Sequence, residues 1–182
     1  MPLIDNASLG EWLSQPGHGG GDSPQDSRTQ DTEDSGKAFE RIKRLVSVRE
    51  RSVEELKARL LREGFTPEGT EEALGRGVTC GLVDDTRFAD ALIRGRVSAG
   101  KGRQGIEREL EGLHISPESI PGWPEGFGLG GEEQEVARAV GLLTKRPPTS
   151  ARPQNSAYQR LVRNGYSSSA AVTAVRIWAE GL

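Results

Sequence analysis

The sequence predicts an all-α protein built as an elongated tandem array of three three-helix modules. Three segments with the same ending lie about fifty residues apart, at Gly64-Phe65-Thr66-Pro67, His114-Ile115-Ser116-Pro117 and Gly165-Tyr166-Ser167-Ser168. Each follows an apolar, Arg-rich stretch whose spacing fits one face of a helix, and no stretch has a convincing alternating β pattern. A repeat of this period is typical of modules that stack and bury their apolar faces together.

The three copies align position by position. Apolar residues recur at offsets of 50 and 51 residues: Leu56, Ile106 and Ala157, then Leu60, Leu110 and Leu161, then Phe65, Ile115 and Tyr166. Gly64 and Gly165 stand where a helix commonly stops in the left-handed conformation, and His114 takes that place in the middle copy. A hydroxyl residue that can cap the next helix follows in each copy.

The amino-terminal segment differs in composition from the rest of the chain. Residues 1–36 carry seven acidic residues and one basic residue, whereas residues 37–182 have a net charge of +3. A segment so poor in apolar residues cannot bury enough surface to offset its chain entropy. We therefore expect a disordered acidic tail over residues 1–36.

The first module is expected at residues 37–81. Its first helix starts near Ala38. The second helix opens with Ser52 and Glu55, which have the form of a capping box, and the third helix runs from Pro67 to about Thr79.

The second module is expected at residues 82–131 and the third at 132–182. Asp84 and Asp85 cap a helix that carries Phe88 and Ala89, and a second helix covers residues 104–112. Prolines at 121 and 124 stop the third helix within a turn, which leaves a Gly/Pro-rich loop at 121–131. The third module is divergent, with helices from 132, over 155–164 and after 167.

Two ordered segments resemble the RecX family, bacterial regulators of the recombinase RecA. They are Arg49-Glu50-Arg51-Ser52 with Glu55, Leu56 and Leu60, and Gly81-Leu82-Val83-Asp84-Asp85-Thr86-Arg87-Phe88-Ala89. The likeness continues through Arg94, Arg96, Gly100 and the stretch 106–115. It implies a monomeric regulator, active in DNA repair, homologous recombination and the SOS response, that lies in the groove of the RecA filament.

Composition and motifs do not favour an enzyme. The segment from Gly95 to Gly102 matches a phosphate-binding loop through Lys101, but Gly102 replaces the magnesium-binding hydroxyl and a helical pattern precedes it. Ser52, Ser98 and the lone Cys80 lack an activating histidine. We expect no cofactor and no metal site, and a helix-capping role for the two aspartates at 84–85. One cysteine and no long apolar run at the amino terminus suggest a cytoplasmic protein without a membrane partner.

The candidate partner-binding residues are basic. Arg94, Arg96, Lys101 and Arg103 bracket a Gly-containing turn, and Arg49 and Arg51 form a second patch. Such cations suit an acidic protein groove or a phosphate backbone, although a solvated helix face balanced by nearby carboxylates would look the same. Three functions stay open at this point: a regulator that binds RecA filaments, a weak binder of single- or double-stranded DNA with helix-turn-helix-like modules, and a helical adaptor for another partner.

Overall fold

The computed structural model describes residues 24–181, and within this range the chain forms eight α-helices and no strand. In chain order they are α1 Pro24–Val46, α2 Val53–Arg62, α3 Pro67–Thr79, α4 Asp85–Ser98, α5 Arg103–Glu111, α6 Glu132–Lys145, α7 Pro153–Arg163 and α8 Ser168–Glu180. Two short 3-10 helices, Pro117–Ser119 and Glu125–Phe127, separate α5 from α6. No helix in this part of the chain is both long and apolar enough to cross a membrane.

Each module has its own hydrophobic core, as the repeat predicts. Leu56, Ile106 and Ala157 are fully buried, each in a separate apolar cluster. The first helices of the modules repeat in the same way, since Ile42, Ile93 and Leu143 are also fully buried. Corresponding positions are therefore core positions in all three modules, and the predicted all-α array of three modules is confirmed.

The second helices of the modules stop as the sequence predicts. Gly64, His114 and Gly165 have φ values of +93°, +57° and +84°, so a histidine adopts in the middle copy the left-handed conformation that glycine adopts in the others. Thr66 and Ser167 then cap α3 and α8 with their side chains. The apolar residue between stop and cap folds back into the core, where Ile115 and Tyr166 are nearly inaccessible to solvent.

The prediction that residues 24–36 belong to a disordered tail is wrong. Helix α1 begins at Pro24, so it is 23 residues long and the first module starts well before residue 37. Ser35 is buried, and Asp34 accepts hydrogen bonds from the backbone N–H of Thr66 (2.7 Å) and from its hydroxyl (3.0 Å). Tertiary contacts thus hold a segment whose own composition is polar. Residues 1–23 of the predicted tail lie outside the described residues.

The third helix of the middle module is truncated, as expected. One 3-10 turn stands in its place, and the chain continues into the Gly/Pro-rich loop. Ile120, Phe127 and Leu129 from this stretch are buried in the same cluster as Ile93 and Ile106. The loop therefore completes the core of the middle module in place of a helix.

Candidate partner-binding surfaces

The two segments that carry the family resemblance meet in space at the joint between modules 1 and 2. Arg87 Nε donates to Glu50 Oε1 (2.7 Å) and Arg87 Nη2 to Glu50 Oε2 (3.2 Å), a two-pronged pair that raises the pKa of Arg87. Asp85 Oδ1 accepts from the backbone N–H of Val53 (2.9 Å), the first residue of α2. Asp84 caps its own helix by accepting from two amides of the first turn. The motifs therefore join two modules.

A carboxylate at one repeat position has two different partners. Asp34, Asp85 and Glu135 occupy equivalent places on the first helices of the three modules. In module 3, Glu135 accepts from the backbone N–H of Ser167 (2.9 Å) and from its hydroxyl (2.7 Å), just as Asp34 does with Thr66 in module 1. The module that contains Asp85 has no full third helix, and Asp85 accepts a hydrogen bond from Val53 of module 1 instead.

The joint between modules 2 and 3 is formed by backbone in direct contact. Gly102 N–H donates to the carbonyl of Asn164 (2.9 Å) and Gly105 N–H to that of Gly165 (3.1 Å). A Cβ on Gly102 would lie 2.3 Å from the Gly165 oxygen, and one on Gly165 would lie 2.2 Å from the Gly105 Cα. Only glycine permits this approach, so the amino end of α5 and the carboxyl end of α7 are locked together.

This contact also explains the segment that matches a phosphate-binding loop. Helix α4 ends at Ser98, Gly100 takes a φ of +80°, and Gly102 stands at the start of α5. The preceding segment is a helix, where the nucleotide motif needs a strand. The interpretation as a helix end followed by a turn is confirmed.

The predicted basic cluster divides into two groups, of which the first packs on the Gly/Pro-rich loop. Arg94 lies over the ring of Phe127 at 5.3 Å, and Arg103 lies over the ring of Trp123 at 6.0 Å. Each arginine is also paired with a carboxylate one turn away on its own helix, Arg94 with Asp90 at 2.8 Å and Arg103 with Glu107 at 2.7 Å. We call Arg94, Arg103, Trp123 and Phe127 the loop surface.

The second group surrounds Glu109. Arg96 donates to both carboxylate oxygens, with Nε 2.7 Å from Oε2, across the α4–α5 contact. This hydrogen bonding lowers the pKa of Glu109, with a smaller contribution from Lys101. The Lys101 carbonyl accepts from Arg138 Nη2. Arg96 therefore ties two helices of module 2 together, and the backbone carbonyl of Lys101 contacts module 3.

Arg49 and Arg51 lie beside a single carboxylate. The guanidinium groups approach Glu55 to 3.3 and 4.0 Å, respectively. Ser52 is buried and accepts from the Glu55 N–H at 3.0 Å, so the first half of the capping box is present. The carboxylate of Glu55 turns to the arginines. Of the other motif residues, Leu56, Leu60, Phe88 and Ala89 are buried in the cores.

The divergent module carries a third set of cations, which no sequence motif indicates. Arg138, Lys145 and Arg146 line a pocket of about 470 Å³ together with Gly100 of module 2 and Tyr166. Residues 132–182 carry seven Arg and Lys against four Glu, whereas residues 82–131 carry six against eight acidic residues. A count by module would have pointed to this end of the chain.

Comparisons with known proteins identify relatives along most of the chain. A family model described as RecX, second three-helix domain, matches residues 84–120. The regulatory protein RecX of Mycolicibacterium vanbaalenii is 31% identical over 141 residues, which cover 72% of this chain and 77% of the relative. The regulatory protein RecX of Xanthomonas citri is 32% identical over 136 residues, which cover 72% and 82%.

Solved structures with the same fold span nearly the whole array. A crystal structure of RecX from Lactobacillus salivarius has a TM-score of 0.58 at 19% identity and covers 82% of this chain and 99% of its own. Another crystal structure, of a regulatory protein RecX, has a TM-score of 0.64 at 21% identity, with coverage of 94% and 85%. At these identities the likeness concerns the fold.

Proposed function

The chain belongs to the RecX family of regulatory proteins, and we propose on this basis that it binds filaments of the recombinase RecA and inhibits their recombinase and ATPase activities. Family membership is the observation that carries the proposal. The proposal also includes that the protein is a monomer and acts in the cytoplasm.

The construction of the joints supports a role that depends on stiffness. Ion pairs and a backbone amide tie modules 1 and 2, and close glycine contacts tie modules 2 and 3. A stiff body that touches several filament protomers gains affinity from each added contact, since later contacts form at high effective concentration. The same body opposes protomer movements by binding one arrangement better than another. Inhibition of ATP turnover follows from this bias.

We assign the first contact with the filament to the loop surface. Arg94 is exposed, with 66% of its side chain accessible, and its pair with Asp90 joins residues one turn apart on a helix. Surface pairs of this kind contribute about 0–1 kcal/mol, so an acidic group of a partner can displace Asp90 at little cost. The ring of Trp123 beneath Arg103 is only partly buried, so it adds apolar area that a partner can bury. Arg49 and Arg51 stay a second proposed patch.

A titration of RecA's DNA-dependent ATPase tests the proposed function. The full chain, added at increasing concentration to RecA on single-stranded DNA, should reduce ATP turnover at less than one molecule per RecA protomer. Bridging of several protomers by one stiff body is the physical reason. An ATPase rate that is unchanged at micromolar concentrations would refute the proposal.

The loop surface is tested by the double variant Arg94→Ala, Arg103→Ala. It should weaken inhibition at least tenfold, because two charge-assisted contacts are lost at roughly 1 kcal/mol or more each. Lys37→Ala, Lys57→Ala is the matched control, since it removes two exposed, ion-paired cations from module 1. Equal effects of the two double variants would show that net charge, and not the loop surface, governs binding.

The charge of module 3 favours direct DNA binding as a second function. Its seven cations have no carboxylate within ion-pairing distance among the described residues, and they exceed its acidic residues by three. Affinity for single-stranded DNA in the absence of RecA, measured by anisotropy, should fall linearly on a log–log plot against salt. A slope near zero would exclude phosphate contacts.

A further inference from the structure

The pocket between modules 2 and 3 contains hydrogen-bond donors that lack acceptors. Tyr166 is 98% buried, and within residues 24–181 neither its hydroxyl nor Nη1 of Arg138 has a hydrogen-bond partner. Both residues line the pocket. Buried donors are ordinarily paired, and an unpaired one in a native structure calls for an explanation. Two of them at one pocket point to an absent acceptor.

The charges around the pocket favour an anion as that acceptor. Arg138, Lys145 and Arg146 line it, and no acidic residue does. The nearest carboxylate on the same helix, Glu135, is one turn before Arg138, and both of its oxygens already accept from Ser167. Burial raises the pKa of Tyr166, so its hydroxyl keeps its proton and can donate. The pocket therefore offers cations and a neutral donor to the same ligand.

Apart from Ser98 and two glycines, the remaining residues that line the pocket are apolar. Val97, Ala99 and Leu142 line it beside the charged groups, and Leu142 also touches Gly100. A carboxylate at the end of an aliphatic arm would place its methylene groups against these side chains. A phosphodiester, which is hydrated on all sides and repeats along a strand, gains nothing from them. A single pocket of this kind suits an acidic side chain.

We propose that the pocket lined by Arg138, Tyr166, Lys145 and Arg146 binds a Glu or Asp side chain of an acidic, partly apolar protein segment. Arg138 Nη2 stays on the Lys101 carbonyl while a rotation of the long side chain presents Nη1 to the carboxylate. Lys145 and Arg146, both exposed, guide the acidic segment to the opening. The inference deepens the proposed function, on which it rests only for the view that the segment belongs to the filament.

Binding of a defined peptide to the full chain tests the pocket without RecA. The probe is a capped, fluorescein-labelled octapeptide that alternates Leu and Glu, with the Leu–Gln version as the ligand control. Tyr166→Phe removes one hydroxyl that makes no hydrogen bond to any residue in the range 24–181. It should weaken peptide binding about tenfold, the typical effect of losing a hydrogen bond to a charged group, without loss of thermal stability.

Substitution of Lys145 and Arg146 at the opening distinguishes binding at the pocket from binding governed by net charge. Lys145→Ala, Arg146→Ala should weaken peptide binding at least tenfold. Arg163→Ala, Arg176→Ala removes the same charge from exposed positions on α7 and α8 and should change it less than threefold. Equal losses in the two double variants, an unaltered affinity in Tyr166→Phe, or no detectable peptide binding would each overturn the proposal.

Two further measurements distinguish the carboxylate site from a phosphate site and from the proposed RecA function. A 12-nucleotide single-stranded DNA that depends on Tyr166 more than the peptide does would assign the pocket to phosphate and overturn the carboxylate. The ATPase titration is run in parallel with the wild-type chain and with Tyr166→Phe. Peptide binding that depends on the pocket, together with no inhibition of the ATPase by the wild-type chain, would sink the proposed RecA function and leave the carboxylate site standing.

Discussion

Replacing Gly102 by Ala tests whether modules 2 and 3 unfold as one unit. The φ of Gly102 is −78°, which alanine adopts freely, so the substitution strains no backbone dihedral. The new Cβ would instead lie 2.3 Å from the Gly165 oxygen and 2.4 Å from the Tyr166 nitrogen. Ordinary contact distances require the two backbones to separate by about 1 Å. That movement would stretch both hydrogen bonds of the joint.

The expected cost follows from these contacts. Two hydrogen bonds contribute about 1 kcal/mol each, and overpacking that the backbone must relieve costs about 1–3 kcal/mol. A loss near 3 kcal/mol in the free energy of unfolding is therefore expected, or about 6–12 °C in Tm for a chain of this length. The amide protons of Gly102 and Gly105 should exchange faster as the joint opens.

Urea unfolding followed by far-UV circular dichroism and by tryptophan fluorescence provides the assay, in a Trp12→Phe, Trp123→Phe background that leaves Trp178, buried in module 3, as the fluorophore. In Gly102→Ala the Trp178 transition should separate from the main transition. Gly95→Ala is the control, since its Cβ meets nothing within 4 Å on a helix. Alanine should stabilise that position by about 0.5–1 kcal/mol. If Gly102→Ala were within about 0.5 kcal/mol of the wild type, the joint would contribute no stability and the reasoning would fail.

Two further predictions concern module 1. Hydrogen bonds from Arg41 and then Arg59 lower the pKa of Glu63 from 4.5 to about 2. The contribution of Glu63 to the free energy of unfolding, about 0.5–1 kcal/mol, should therefore be complete above pH 5 and vanish as the pH falls toward 2. The stability difference between wild type and Glu63→Gln, measured by urea unfolding, must shrink as the pH falls, and a difference that grows in acid contradicts the prediction. Asp34→Ala should cost about 1–2 kcal/mol because α3 loses the acceptor at its cap, whereas Glu33→Ala, whose pair is largely exposed, should cost less than about 0.5 kcal/mol.

Local signals explain which elements were predictable. Helix α3 spans Pro67–Thr79, the range that its sequence predicts, because a capping Thr and a Pro at the first helical position mark its start. Helix α1 was placed too late because its first turns are polar in sequence and because the contact of Asp34 has its partner 32 residues away. A pattern read from neighbouring residues cannot indicate a contact between positions so far apart in the sequence.

Side-chain size decides which face of the last helix is buried. Val172 and Ile177 are large and apolar, yet they are 59% and 42% exposed. The buried face consists of Ala170, Ala171 and Ala174, with Trp178 at its end. Close packing of α8 against its neighbours selects small side chains, and hydrophobicity alone ranks them below valine and isoleucine.

The basic cluster shows the same limit for the candidate site. The sequence places Arg94 and Arg103 on either side of one turn, but it does not show that both pack on the Gly/Pro-rich loop or that Arg96 is taken by Glu109, 13 residues away. The pocket in module 3 needed two distant segments, one at 97–100 and one at 138–146, to come together. Charge counted by module was the one available signal for it.

The order of the modules is fixed by the carboxylate that the repeat places on each first helix. Because the middle module lacks a full third helix, Asp85 is left to cap α2 of the module before it. A chain in which modules 1 and 3 were exchanged would keep every internal core, but Asp85 would meet a different helix start, since α2 begins with the N–H of Val53 and α7 begins with Pro153, which has none. The three copies thus share one fold, yet the joint between the first two depends on a helix start that the third copy does not reproduce.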